Sequence, residues 1–236
     1  MRLQYIICTV KQKYQLPLNF LLDSMFVNKI NMDNVFLSSQ DTSSIYTNIE
    51  TINYNRYNTN MKSVNIPKKL YEYSFFITCK ELLDCGIASK TDLFMLMHDT
   101  SIVRPQHIKK INYIIDKYIN KENYDIVYGN NTGQHNIGIY NYKSINVGYS
   151  LYKKLTVINK EHAINIEHNC CAKEHSIKQQ TDKLKIFYPQ IPWIESQGHI
   201  VYYSMIKRVV SSLQFFDIEK YYFNVQNGVL HPHDKF

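Results

Sequence analysis

The sequence predicts an α/β protein with a central, mostly parallel sheet flanked by helices, in one domain over residues 1–236. Three observations carry that expectation. A short β-branched run, "YIICTV" (5–10), leads into apolar residues at helical spacing and then a second short run, "NVFLSS" (34–39). Strand, helix, strand in that order is a βαβ unit, and βαβ units build parallel sheets. The alternation then repeats: "DLFMLMHD" (92–99) is followed by an amphipathic stretch and by "YDIVYG" (124–129).

"YIICTV" is short and continuously apolar, as a strand buried on both faces should be. "LPLNFLLDSMFVNK" (16–29) places Leu18, Leu21, Leu22, Met25 and Phe26 at helical spacing. Pro17 is expected in the first turn, where a missing N–H costs nothing. Residues 40–66 are polar and Asn-rich and read as a loop, with room for one strand in "SIYTNIETI". "YSFFITCKELLDCG" (73–86) reads as a helix closed by Gly86. "RPQHIKKINYIIDKYINK" (104–121) reads as a helix opened by Pro105, with Ile108, Ile111, Ile115 and Tyr118 on its apolar face. "GNNTGQHNIGIYN" (129–141) is a loop rich in Gly and Asn, and "SINVGYSLYKKL" (144–155) is helical. "GHIVYYSMIKRVVSSLQFF" (198–216) has a helical period with length for two helices, and the tail after it reads as extended.

Hydrophobic residues make up 44% and charged residues 20%, enough apolar content for a sizeable core and against a disordered chain. The formal net charge of +7 favours phosphate-bearing partners. The lysines, however, occur as scattered pairs (Lys68-Lys69, Lys109-Lys110, Lys153-Lys154), without the block or stripe of a nucleic-acid binder. The lysine excess equally fits the coding bias of an AT-rich genome, viral or microbial, which the 20 Tyr also suggest. The five cysteines, Cys8, Cys79, Cys85, Cys170 and Cys171, have neither zinc spacing nor a disulfide pattern. A reducing, cytoplasmic setting is the expectation. No signal peptide and no apolar run near the ~20 residues of a membrane span is read.

Ligands of open α/β sheets lie outside the carboxyl ends of the strands. "HDT" (98–100) ends one such strand. Asp99 offers a hard oxygen to a divalent metal, which could clamp a diphosphate. Thr100 can donate to a phosphate, and His98 can ligate a metal or donate to a phosphate. The plainer alternative has Asp99 capping the next turn, with His98 half-buried at the sheet edge. In "GNNTGQHNIGIYN" the glycines allow close backbone approach, and side-chain amides suit sugar hydroxyls because they donate and accept at once. Its plainer alternative is an Asn-Gly turn feeding "NIGIY" as an edge strand. Trp193 is suited to stacking on a sugar or uracil ring, and equally to anchoring a core or lid.

"YIICTVKQKYQLPLNFLLDSMFVNKINMDNVFLSSQD" and "DLFMLMHDTSIVRPQHIKKI" together resemble the N-terminal half of the GT-A-fold, family 2-like glycosyltransferases, which use nucleotide sugars. The first segment resembles that family's strand with a nucleoside-contacting end, helix and second strand. The second resembles its apolar strand running into Asp-any-Asp and then to a Pro and a helix. The likeness covers residues 4–140 and matches the last hundred only loosely. It implies a nucleotide-sugar half (1–140) and an acceptor or lid half (141–236). It also implies transfer of a sugar, from a UDP-sugar by preference, to a glycan, protein or small-molecule acceptor.

By the same resemblance Thr9, Val10, Gln40, Asp41, His98, Asp99 and Thr100 would contact the nucleotide. Asn131, Gln134, His135, Asn136 and Trp193 would contact the sugars. Mn²⁺ or Mg²⁺ would sit at Asp99, and some members add a C-terminal His, for which His231 and His233 are the candidates; a frayed terminus is the alternative. An inverting enzyme needs a base, and Glu167 and Asp217 are candidates among the later carboxylates. The sequence departs from the family at one place. Counting back from Pro105, His98 and Thr100 occupy the acidic positions, with Asp99 between them; a one-residue slip gives Asp99 the last acidic position. At most one carboxylate remains, so metal dependence stays open, and a metal-free enzyme would need basic or N–H groups on the leaving diphosphate. Two other readings stand beside it: a degenerate GT-A scaffold serving binding or assembly, and a basic nucleic-acid binder with stacking aromatics.

Overall fold

In the computed structural model the strands β1 (Leu3–Thr9) and β5 (Leu93–His98) lie side by side at the centre of the sheet. The structure describes residues 1–9, 11–42, 47–54, 59–67, 73–99, 101–103, 107–129, 137–158, 177–190 and 200–202. Tyr5 to Cys8 and Leu93 to Met97 are all buried, which is why these stretches read as continuous apolar runs without alternation. Around them the chain forms α1 (Lys11–Val27), β2 (Val35–Thr42), β3 (Asn48–Tyr54), β4 (Thr59–Pro67) and α2 (Tyr73–Asp84) before β5. After β5 come β6 (Ser101–Val103), α3 (His107–Ile114) and its π-helical continuation Ile115–Lys121, then β7 (Ile126–Tyr128), β8 (Gly138–Tyr140) and α4 (Tyr142–Ile158). Two short strands follow, β9 (Ile186–Phe187) and β10 (Ile200–Tyr202).

Eight strands pair in the order β3-β4-β2-β1-β5-β8-β7-β9. β1 is parallel to β2 and β5, β2 to β4, and β7 to β9, while β3 and β8 run against their neighbours. Ile6 faces Phe36 on one side and Leu96 on the other. The expected mixed α/β fold with a mostly parallel sheet is thus present. The chain steps from β1 to β2 and β4 in one direction, then returns through α2 to β5 on the other side of β1. Right-handed crossovers running in opposite directions must cover opposite faces. α2 and α4 accordingly pack together on one face. There a Cβ on Gly148 would lie only 2.4 Å from the Phe76 ring, and Phe75 meets Tyr140 at 4.9 Å between ring centroids.

Buried carboxylates fasten the amino ends of the strands. Asp92, just before β5, accepts from the Arg2 N–H at 2.9 Å and the Arg2 guanidinium at 2.9 Å. It also accepts from the Gln4 amide at 3.1 Å and the Ser89 N–H at 3.0 Å. Burial alone would raise its pKa, but these donors outweigh burial and lower it to about 2. Asp125, before β7, is likewise opposed by burial yet held below the usual carboxylate range by Asn141, the Lys185 N–H and Lys143.

Several local expectations hold. α2 stops at Asp84 and is closed by Gly86, whose φ of +70° is the left-handed cap that glycine accepts without strain. Others are corrected by tertiary context. α1 begins at Lys11, so Pro17 stands inside the helix and not in its first turn. Residues 40–66 hold the antiparallel pair β3–β4, where a loop and at most one strand were expected. Their signal was weak because β4 buries Ser63 and Asn65, so no apolar run marks it. On α3 the buried positions are His107, Ile111 and Ile114, whereas Ile108 is 39% exposed. β8 is interior, between β5 and β7, and is not an edge strand. Its Gly138 is required there, since a Cβ would stand 2.8 Å from the Val127 carbonyl oxygen. Residues 200–202 pair antiparallel with β6 and are not helical: a pairing with a distant partner overrode the helical period. Among the described residues no helix is long and apolar enough to cross a membrane.

Candidate functional site: a buried polar row at the carboxyl ends of the central strands

Toward their carboxyl ends β2, β1 and β5 turn from apolar to polar side chains, and β4 carries buried Asn65 beside them. Asn65 lies opposite Ser39, and Ser39 opposite Thr9, so the three share one sheet face as a row. All three are buried. Thr9 is only 2% exposed, and its hydroxyl has no hydrogen-bond partner among the described residues. A buried hydroxyl in that state costs on the order of 1–3 kcal/mol.

β5 completes the row. His98 lies opposite Cys8, and the N–H of Asp99 donates to the Cys8 carbonyl at 3.3 Å. Thr9 and Asp99, far apart in the chain, thus end adjacent strands. Asp99 is 5% exposed and sits in the turn that joins β5 to β6. His98 is half-buried and shares the opposite face with Cys8, toward α2. On that face the Ser74 hydroxyl donates to the Cys8 sulfur at 3.4 Å, and the Gln40 amide donates to the Ser74 oxygen at 3.3 Å. Gln40 is therefore turned to α2, away from the Thr9 row. Burial pushes the Cys79 thiol up, neighbouring Cys8 adds to the shift, and a backbone hydrogen bond opposes it only partly. Cys79 is accordingly a packed thiol and not a nucleophile.

Asp41 lies on β2. Val10, Thr100, Asn131, Gln134, His135, Asn136, Glu167, Trp193, Asp217, His231 and His233 lie outside the described residues. Ser39 and Asn65 were missed by the sequence reading. The signal that could have found them is a polar residue at the end of an otherwise buried strand, as in "SVN" (63–65). Among the described residues no group of three or more His, Cys, Asp or Glu is placed to hold a metal ion. A hard divalent cation needs about six oxygen ligands. Asp99 is one carboxylate, so the described residues do not make a metal site by themselves.

The strands β4, β2, β1 and β5 stand in the 3-2-1-4 order of a doubly wound sheet, with the order reversing between β1 and β5. That reversal is where such sheets open a ligand crevice, and it is where Thr9 and Asp99 meet. The fold and the polar row together define an α/β protein with a candidate ligand site at the topological switch point. No protein-family model matches the chain, and no curated protein matches it. Among solved structures it is similar to S. aureus TarS, residues 1–349, with a TM-score of 0.38 and 12% identity over 54% of this chain and 35% of that chain. The chain spans about a third of that structure, and a likeness of this size is too slight to establish a shared fold.

Proposed function

We propose that the chain is a GT-A-type glycosyltransferase that takes a nucleotide sugar, UDP-sugar by preference, and passes the sugar to a glycan, protein or small-molecule acceptor. The observation that carries the proposal is the meeting of Thr9 and Asp99 at the switch point, on the two segments whose sequences resemble that family. The nucleoside lies over the Thr9–Ser39–Asn65 row. Asn65 both donates and accepts, as the edge of a nucleobase does, and the Thr9 hydroxyl completes its bonding on the nucleotide. The diphosphate points toward Asp99.

A carboxylate beside a diphosphate repels it unless positive charge intervenes. With one carboxylate, either Mn²⁺ or Mg²⁺ is held jointly by Asp99 and the diphosphate, with His231 or His233 as added ligands, or N–H and lysine groups take the charge directly. Asn131, Gln134, His135 and Asn136 follow β7 in the chain and serve the sugars, with Trp193 as a stacking surface. Glu167 or Asp217 takes the acceptor proton if the reaction inverts.

Calorimetric titration of UDP- and GDP-sugars, with and without Mn²⁺, tests the reading. Wild type is expected to bind a UDP-sugar. Thr9→Val is expected to weaken binding about fivefold to tenfold, as the loss of one buried hydrogen bond does. Asp99→Asn is expected to abolish any Mn²⁺ dependence. Binding without turnover over a panel of acceptors would favour the degenerate scaffold, and salt-dependent affinity for DNA or RNA would favour the nucleic-acid reading. No binding of any nucleotide sugar by folded protein would sink the proposal.

A further inference from the structure

We propose that Ser24, assisted by Asn28 one helical turn later, is a positioning residue for the Asp99 turn; this rests on the reading of Asp99 as part of a donor site. Asp99 is held upstream by β5 and by its own N–H bond to Cys8. Downstream, β6 starts two residues later and, among the described residues, pairs with β10 and not with the main sheet, as Ser101 with Tyr202, Ile102 with Val201 and Val103 with Ile200. The last turn of α1 supplies a second hold. The Val103 N–H donates to the Ser24 hydroxyl oxygen at 2.9 Å, and the Asn28 amide donates to the Val103 carbonyl at 3.3 Å.

The bracket is directional. The Ser24 hydroxyl proton is committed to the Leu21 carbonyl at 2.6 Å, which leaves its oxygen as a fixed acceptor for Val103. The Asn28 amide also donates to the Ser24 carbonyl at 2.8 Å, so both side chains are tied to the same helical turn. Ser24 and Val103 are fully buried, so water does not replace the bond when it is lost. α1 follows β1, whose last residue is Thr9. One helix therefore connects directly to the Thr9 end of the site and grips the strand that leaves Asp99. None of the Ser24 side-chain bonds reaches the main sheet, so its loss should loosen one side of Asp99 and leave β5 in place.

The experiment compares wild type, Ser24→Ala and Ser24→Thr, the last of which keeps the hydroxyl. Amide hydrogen exchange is read at Asp99, Val103 and Leu96, the last as an internal reference in the middle of β5. In Ser24→Ala, exchange at Asp99 and Val103 is expected to speed up about tenfold while Leu96 keeps its wild-type rate. Donor kinetics are expected to show kcat falling about tenfold with KM within about threefold, because charge on the leaving diphosphate grows only in the transition state. Ser24→Thr is expected to recover both to within about threefold. Unchanged exchange at Asp99, acceleration of Leu96 along with it, or failure of Thr to restore either readout would overturn the proposal. So would an unchanged kcat in a wild type that turns over donor. If wild type neither binds nor turns over a nucleotide sugar, the donor-site reading falls by itself. The exchange comparison then still decides whether Ser24 sets the position of Asp99.

Discussion

Replacing Asp92 by Asn should destabilise the protein in a way that has its own pH signature. Four donors converge on this carboxylate: the Arg2 N–H on Oδ1, and the Arg2 guanidinium, the Gln4 amide and the Ser89 N–H on Oδ2. Asn keeps one oxygen and puts an NH₂ group in place of the other. Whichever way it is turned, at least one N–H faces another donor. The lowered pKa gives the scale: a fall from an unfolded value near 3.9 to about 2 corresponds to about 2.6 kcal/mol. Arg2 is 53% exposed, so solvent screens part of that, and about 1.5–2 kcal/mol is the working figure. At about 2–4 °C per kcal/mol for a chain of this length, the melting temperature should fall by roughly 3–8 °C. Asp92 has a depressed folded pKa, so its contribution is full above the unfolded value near 4. It is lost as pH falls through about 2. Urea unfolding of wild type and Asp92→Asn between pH 7 and pH 2 measures the gap directly. A gap that keeps its size from pH 7 to pH 2 would show that charge is not its source and refute the reasoning.

The remaining predictions are simpler. Gly148→Ala sets a helix-propensity gain of about 1 kcal/mol against a Cβ 2.4 Å from the Phe76 ring. That ring is pinned by Phe75 at 5.1 Å and Tyr140 at 5.9 Å, so overpacking wins and a net loss of about 1–2 kcal/mol is expected in urea unfolding; a more stable Ala variant would contradict it. Lys29, with φ of +58°, closes α1 in the left-handed region. Lys29→Gly should therefore raise stability by about 0.5–1 kcal/mol by calorimetric melting, and a loss would mean that its side chain matters more than its backbone.

Much of the sheet was legible because its central strands are buried on both faces. A run such as "LFMLM" admits few other readings at that length, and the helices between the runs fix the parallel sense. The hairpin β3–β4 was not legible. β4 sits between β2 and β3 and buries Ser63 and Asn65, and polar residues buried by pairing look like loop residues in a sequence. "IVY" (200–202) was misread for the opposite reason, since its residues suit either a helix or a strand and pairing with β6 decided. At the site, Asp99 was visible as a carboxylate ending an apolar strand. Its neighbour Thr9 was placed there only by the family resemblance. Ser39 and Asn65 left only a faint mark, a polar residue toward the end of a strand, and Ser24 left none, because their importance lies in register and in one hydrogen bond across the fold.

The sequence by itself determined the fold class, the two segments whose ends carry the candidate chemistry, and the shortage of carboxylates beside Asp99. These follow from local pattern: hydrophobic period, composition and side-chain type. Only the tertiary structure decided that β1 and β5 are neighbours with the strand order reversing between them. Only it showed that Thr9 and Asp99 meet there, that Gln40 turns to the other face, and that α1 grips the strand leaving Asp99. Those facts depend on which strands pair and in what register. Pairing is settled by burial summed over the whole sheet, and no short stretch of residues contains that sum.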